Sequence, residues 1–488
     1  MPYDGSFGCF SLSILLTPVI YLVETSSMSE VLDVFRSIVG TTQVVTGEEA
    51  KAWAKDYTKA YTPSPLAAVF PKTTQEVSKI LQFCNQKKIS VVPSGGRTGL
   101  SGGAVAARQE VVISTSKMNG IFGVNPVEKT IHCQAGVVTK ELQRAAVDAG
   151  LYFPVDFASS GSSHIGGNVA TNAGGIKVIR YGLIRQWVSG LKVVLADGSI
   201  LELTNACVKN NTGYDLKHLF IGSEGTLGII TEVIMNLTTP PKELMVCLFA
   251  LNKLEDITSL FELTQKMALP LTAYEMFTSF GLLRVQEHTK LKSPFSKLHP
   301  FYTLIEVEKI SDKTEGYLEQ FVQKAFDEKI IVDGVLSQSS QQDQDFWGLR
   351  ENIAESLSAL TVAHKNDISL PLSKITPFCT DLQEIISSKY PGFEAVIFGH
   401  IGDGNLHVNF TKPEKMSKDE FFAHAKKSDV SMFELVKKYG GSISAEHGIG
   451  LTKKDFLHYT RSPLEIGIMK KIKQDLDPNE IMNPGKVF

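Results

Sequence analysis

Cysteine is scarce in this chain and badly placed for cross-linking. The six in 488 residues are Cys9, Cys84, Cys133, Cys207, Cys247 and Cys379, irregularly spaced and with no C-x-x-C pair. That excludes a disulfide scaffold and points to buried thiols in a reducing compartment. An excess of one charge is also missing. Lys and Arg number 49 against 52 acidic residues, for a net charge of -3, so nothing suggests nucleic acid as a partner. No G-x-G-x-x-G opens a helix and no G-K-[ST] follows a glycine loop, which removes the Rossmann fingerprint and the P-loop. No Lys or Arg precedes Arg36. The apolar stretch 10–23 therefore lacks the basic n-region of a secretory signal and the arginines of a transit peptide. It is also short for a membrane span and contains Pro18. Residues 1–27 are read as a leader ahead of Met28, with membrane contact as the alternative. The chain is expected in the cytoplasm, at most peripheral at a membrane.

What is present is ordinary globular composition on a length that implies two or three domains. Residues 75–88 carry Val77, Ile80, Leu81 and Cys84 at helical spacing. A strand is expected at 89–92, ended by Pro93, and another at 111–115. A helix is expected at 139–149, with Thr139 as N-cap and Gly150 as its stop. A hairpin is expected across 191–203 around Asp197-Gly198. Thr238-Thr239-Pro240-Pro241 marks a boundary, because two prolines halt regular structure. Beyond it, helices at 249–266 and 314–329 flank a strand at 302–307, and a long helix at 420–439 stops at Gly440-Gly441.

Three segments are dense in glycine and small residues: Pro93 to Gly103 (PSGGRTGLSGG), Ile165 to Gly175 (IGGNVATNAGG) and Gly222 to Gly228 (GSEGTLG). Glycines let backbone N–H groups approach phosphate oxygens closely. Three such loops in one half imply an extended ligand touched along its length. In order and wording they resemble the FAD-binding domain of the vanillyl-alcohol-oxidase and para-cresol-methylhydroxylase (PCMH) superfamily, over roughly residues 55–488 and including Met482-Asn-Pro-Gly-Lys486. The resemblance implies an α+β fold: a two-part PCMH-type FAD-binding domain, an α+β substrate (cap) domain, and a C-terminal segment returning to the FAD domain. The expected divisions are an N-terminal leader and helical extension (1–50), the FAD-binding domain (51–240), the substrate domain (241–445) and the C-terminal segment (446–488). It also implies FAD contacts at Pro93, Ser94, Gly95, Gly96, Arg97, Thr98, Gly99, Leu100, Gly102, Pro154, Gly161, Gly166, Gly167, Thr171, Asn172, Gly174, Gly175, Glu224, Gly225, Ile230 and Asn483. Relatives that tether the flavin do so through a His in the first loop. None stands there in this sequence, so non-covalent FAD is expected. His164, just ahead of the second segment, is read as structural, with flavin contact as the alternative.

In the second half, His400-Ile-Gly-Asp-Gly-Asn-Leu-His407-Val-Asn409 and Ser444-Ala-Glu446-His447-Gly-Ile-Gly450 concentrate polar residues between glycines. In an extended 406–410, Leu406, Val408 and Phe410 face one way and His407 and Asn409 the other. Two His and a carboxylate are the donor set of an open catalytic metal site. These segments resemble the second domain of the D-2-hydroxyglutarate, D-lactate and glycolate dehydrogenases. By that resemblance His400, His407 and Glu446 would hold a divalent metal, zinc being expected. His447 would be the catalytic base, and Asn409 would position substrate. Arg350 (in W-G-L-R-E) and Lys365 (in K-N-D-I-S-L-P) would bind substrate carboxylates. Ala354 departs from the pattern, since glutarate-type enzymes carry Thr there. The implied function is oxidation of a small D-2-hydroxy acid, D-2-hydroxyglutarate favoured, with electrons passed to an electron-transfer flavoprotein, a quinone or a cytochrome. The sequence leaves the oligomeric state open, a homodimer among the options. Alternatives are a D-lactate dehydrogenase, a glycolate oxidase FAD subunit and a non-catalytic flavin-binding subunit.

Overall fold

The computed structural model describes residues 27–204 and 207–488; Cys9 and the apolar stretch 10–23 lie outside the described residues. Among the described residues three sheets form. The first joins Val44–Val45, Ala67–Val69, Val111–Ser114 and Val91–Ser94, parallel except for its first pair. The second is antiparallel: Ile121–Asn125, Thr130–Gln134, Ile229–Asn236, Val188–Val194 and Ile200–Leu203. These two sheets divide the first half of the chain into two parts, as the resemblance implies. The third, seven-stranded and antiparallel, runs Asp333–Leu336, Leu244–Leu251, Phe301–Glu308, Leu271–Thr278, Glu394–Gly399, Asn405–Thr411, Ala363–Ser369. The chain then returns to the first sheet. Val91 N–H donates to Ile481 O at 2.8 Å, and Asn483 N–H donates to Val91 O at 2.8 Å.

The large sheet is sandwiched. One face packs on helices Leu254–Lys266, Thr314–Asp327, Ile375–Lys389 and Lys418–Lys438, and Leu406, Val408 and Phe410 point into that core. The other face meets Ser279–Thr289, Ser340–Glu351 and Ile353–Leu360. Burying one such aliphatic or aromatic side chain stabilises the fold by about 1.5–3 kcal/mol. The alternation read from 406–410 is therefore fixed on its apolar side by packing.

Several expectations are corrected. The segment 249–266 is not all helix, because Leu244–Leu251 is a strand preceding the helix Leu254–Lys266. Cys247, Phe249 and Leu251 enter one core while Val246, Leu248 and Ala250 enter the other. A strand buried on both faces reads as a continuous apolar run, which periodicity cannot distinguish from a buried helix. Pro93 does not end its strand, which continues to Ser94. Val91 turns its N–H and C=O toward 481–483, so alternation turns Pro93 that way too, off the ladder with Val111–Ser114. The second glycine segment is a helix, Ile165–Thr171, rather than a loop. Gly166 lets it settle on the chain at Ala135, where an added Cβ would come within 2.4 Å of the Ala135 Cβ. Thr139 does not cap its helix. Val138 occupies that place, and the buried Thr139 hydroxyl bonds Ser163 Oγ at 2.7 Å and accepts from Asn168 Nδ2 at 2.6 Å. Cys84, Cys133, Cys247 and Cys379 are buried thiols. No helix among the described residues is long and apolar enough to cross a membrane.

Candidate active site

The first and second glycine segments and part of the third line one cleft, about 870 Å³ with its open mouth included. Pro93, Ser94, Gly95, Gly96, Arg97, Thr98, Gly99, Gly166, Gly167, Thr171, Glu224, Gly225 and Ile230 all line it. Their glycines serve two purposes. A Cβ on Gly96 would lie 2.2 Å from Ser162 O and 2.8 Å from Ser163 Cα, so backbone packs against backbone there. A Cβ on Gly167 would meet nothing within 4 Å. Protein packing does not require glycine at that position, and a ligand in the cleft would. Gly96→Ala should therefore strain the cradle by about 1–3 kcal/mol. The purified variant is expected to carry well under half the wild-type flavin, read from the ratio of visible to ultraviolet absorbance; full flavin content would contradict this account.

Other expected contacts sit around the cleft rather than in its lining. Asn172 ends the helix in a left-handed turn, φ 51°, and its Oδ1 accepts from Arg185 N–H. Asn483 Nδ2 donates to Gly103 O and Glu224 O, while its buried Oδ1 has no partner. Gly102 takes φ 80° against Leu451 and Tyr61, and Gly175 abuts Asp156 O. Leu100, Pro154 and Gly161 lie outside the lining, and Pro154 is buried. His164, read as structural from sequence, does line the cleft. Its Nδ1 lies 3.2 Å from Thr115 Oγ1, and burial, aided by Arg97, pushes its pKa down to about 4.

The second constellation lies on the seven-stranded sheet, on the face opposite Leu406 and Val408. Register sets His407 between Phe398 and Asp367, and Asn409 between Val396 and Lys365. His400, in the turn after Glu394–Gly399, returns beside His407, with ring centroids 5.5 Å apart. His400 Nδ1 bonds Glu275 Oε1 at 2.7 Å, which leaves Nε2 facing Glu446 Oε1 at 3.9 Å. Burial lowers the His400 pKa, but Glu275 outweighs it and holds the ring at about 9. Burial pushes the Glu446 carboxyl up to about 7. One ligand atom from each of His400, His407 and Glu446 falls within 4.8 Å of the others. The His447 ring stacks 6.1 Å from that of His407, and burial pushes its pKa down, so it stays neutral and able to accept a proton.

Arg350, at the end of its helix, is buried with Nη2 2.8 Å from Glu275 Oε2 and Cζ 5.0 Å from the Phe398 ring centroid. Its Nε and Nη2 make no aligned hydrogen bond. Lys365 Nζ donates to Ser358 Oγ at 2.7 Å and Ala354 O at 3.3 Å. Glu275 was missed from sequence, although a lone acid in the apolar strand Leu271–Thr278 was a signal. Asp367 was passed over inside the Lys365 motif.

The two constellations meet at 446–450. A Cβ on Gly174 would come within 2.9 Å of Glu446 Oε1. Glu224 accepts from Ile449 N–H at 2.7 Å and Gly450 N–H at 2.8 Å. A cleft lined by three glycine-rich segments and joined to a cluster of imidazoles and carboxylates suits a flavin-dependent oxidoreductase. Comparison with known proteins agrees. Residues 65–204 match the FAD binding domain family, and residues 240–487 match the C-terminal domain of FAD linked oxidases. A curated relative from Stutzerimonas stutzeri (strain A1501), called D-2-hydroxyglutarate dehydrogenase, is 47% identical over 94% of this chain and 98% of its own. One of the same name from Danio rerio, described as mitochondrial, is 37% identical over 94% and 85%. The solved structure of p-cresol methylhydroxylase with substrate bound shares the fold, with a TM-score of 0.73 at 15% identity over 94% of this chain and 96% of that one. The chain belongs to the FAD-dependent D-2-hydroxy-acid dehydrogenases of PCMH-type fold. It is an FAD-binding oxidoreductase of that family.

Proposed function

We propose that this enzyme oxidises D-2-hydroxyglutarate to the 2-oxo acid, with FAD held non-covalently and electrons leaving to a protein or quinone acceptor. The observation that carries this reading is the 446–450 segment. It joins the third glycine loop, through Glu224, to the imidazole cluster, so the reacting carbon would lie between base and flavin. Bound FAD would supply the two-electron acceptor. His400, His407 and Glu446 would hold a divalent ion, zinc by donor type, whose Lewis acidity would lower the pKa of the substrate hydroxyl. The donor set suits such an ion, because Glu275 on Nδ1 turns the Nε2 of His400 toward it, and Glu446 makes no carboxylate hydrogen bond among the described residues. His447 would take the hydroxyl proton. Arg350 and Lys365 would each bind a carboxylate, and Asn409 would orient the acid. Two cations suit a dicarboxylate.

D-lactate or D-malate is the second reading. Residue 354 offers only a methyl group, and its carbonyl is already engaged by Lys365 Nζ. Anaerobic bleaching of the flavin with a panel of D- and L-2-hydroxy acids separates the readings. D-2-hydroxyglutarate is expected to bleach at least tenfold faster than D-lactate or D-malate, and the L-acids should not bleach. Preference for an L-acid, or no bleaching, would reject the substrate class.

A further inference from the structure

Asp367 is fully buried at the centre of Ala363–Ser369, on the His407 face of the sheet. Its Oδ2 accepts three successive backbone N–H groups, from Ala445 at 3.1 Å, Glu446 at 2.9 Å and His447 at 3.0 Å. Its Oδ1 accepts from Asn405 Nδ2 at 2.8 Å. Consecutive N–H groups converging on one anion form a nest, and here the anion belongs to the chain's own sheet. A second tie joins the same parts: the buried Lys453 Nζ donates to Asp367 O at 3.0 Å and Ile443 O at 2.7 Å. Residues 445–447 lie in neither helix nor strand, so these bonds hold them against the sheet.

Asp367, His407 and His447 also lie close enough together to be considered a metal set. The hydrogen bonds argue otherwise. Three donors leave Oδ2 without a free lone pair and Asn405 takes one of the two on Oδ1, whereas the Glu446 carboxylate is uncommitted. His407 Nδ1 and His447 Nδ1 each stand 3.9 Å from the Asp367 carboxylate, so no hydrogen bond from Asp367 holds either ring.

We infer that Asp367 is a positioning residue whose carboxylate sets the 445–447 backbone and thereby places Glu446 and His447 relative to His400 and His407. This rests on the function proposed above. Asparagine at 367 removes the charge that gathers three N–H groups. Glutamate keeps the charge but sets it one methylene too far. Asp367→Asn and Asp367→Glu, purified with FAD, are to be compared with wild type for flavin content, anaerobic reduction by D-2-hydroxyglutarate per bound flavin, and Co²⁺ affinity by its visible spectrum. Both variants should keep their flavin, whose cleft is built by other elements. The Asn variant should reduce flavin at least 100-fold more slowly and bind Co²⁺ about 10–100-fold more weakly, and the Glu variant should recover less than a tenth of the lost rate. Wild-type rate and Co²⁺ affinity in the Asn variant, or losses that merely track lost flavin, would overturn the inference. Hydrogen exchange on the unaltered holoenzyme judges it independently of variant folding: the 445–447 amides should exchange slowly, and rapid exchange there would also overturn it. If wild type binds no Co²⁺, the proposed metal role fails, while the exchange and per-flavin rates still decide the role of Asp367.

Discussion

Replacing His447 with alanine is expected to slow flavin reduction by the hydroxy acid about 10²–10⁴-fold, the range a positioned general base contributes, while FAD stays bound. The reasoning separates side chain from backbone. The His447 N–H that bonds Asp367 survives the substitution, and the flavin cleft is lined by Thr115 and by residues within 93–104, 164–171 and 224–230 rather than by residue 447. What is lost is a half-buried imidazole that burial keeps neutral, stacked beside His407. Stopped-flow absorbance of the anaerobic enzyme gives the rate directly, and flavin absorbance before mixing gives the occupancy. A variant that bleaches at the wild-type rate would assign the base elsewhere and favour a non-catalytic flavin subunit.

Removal of divalent metal is expected to cost at least 100-fold in the same reaction, with recovery on adding zinc. Without a cation, the Glu446 carboxyl sits at about 7 because it is buried among other acids, its attraction to His400 notwithstanding. Such a carboxylate, beside two imidazoles with ligand atoms within 4.8 Å, gains most from a dication. Binding should also raise the unfolding temperature with the logarithm of ion concentration, since only the folded chain brings residues 400, 407 and 446 together. Dialysis against a chelator followed by dye-linked assay and thermal melting tests both points. Full activity in chelator, with an unchanged melt, would remove the ion from the mechanism.

Much of the site was legible because its signals are local. Glycine density at 93–103, 165–175 and 222–228 reflects close approach that any ligand-cradling backbone needs. The alternation of Leu406, Val408 and Phe410 against His407 and Asn409 follows from strand geometry alone. Gly150 and Gly440, with φ 72° and 70°, stop helices where the sequence puts them. The errors are local signals overridden by packing. Pro93 stays in a strand because its missing N–H lies off the ladder. Residues 244–251 form a strand because both faces are covered.

By itself the sequence determined the chemistry available: a glycine-built cleft in the first half, and imidazoles and carboxylates bracketed by glycine in the second. Only the tertiary structure decided how those groups are paired. Glu275 on His400 and Arg350, Asp367 under the 445–447 turn, His164 in the cleft, and Glu224 on Ile449 and Gly450 join residues from about 50 to more than 200 positions apart. Sheet register and the return of the C-terminal segment set those pairings, and neither propensity nor periodicity in a short window carries information about them.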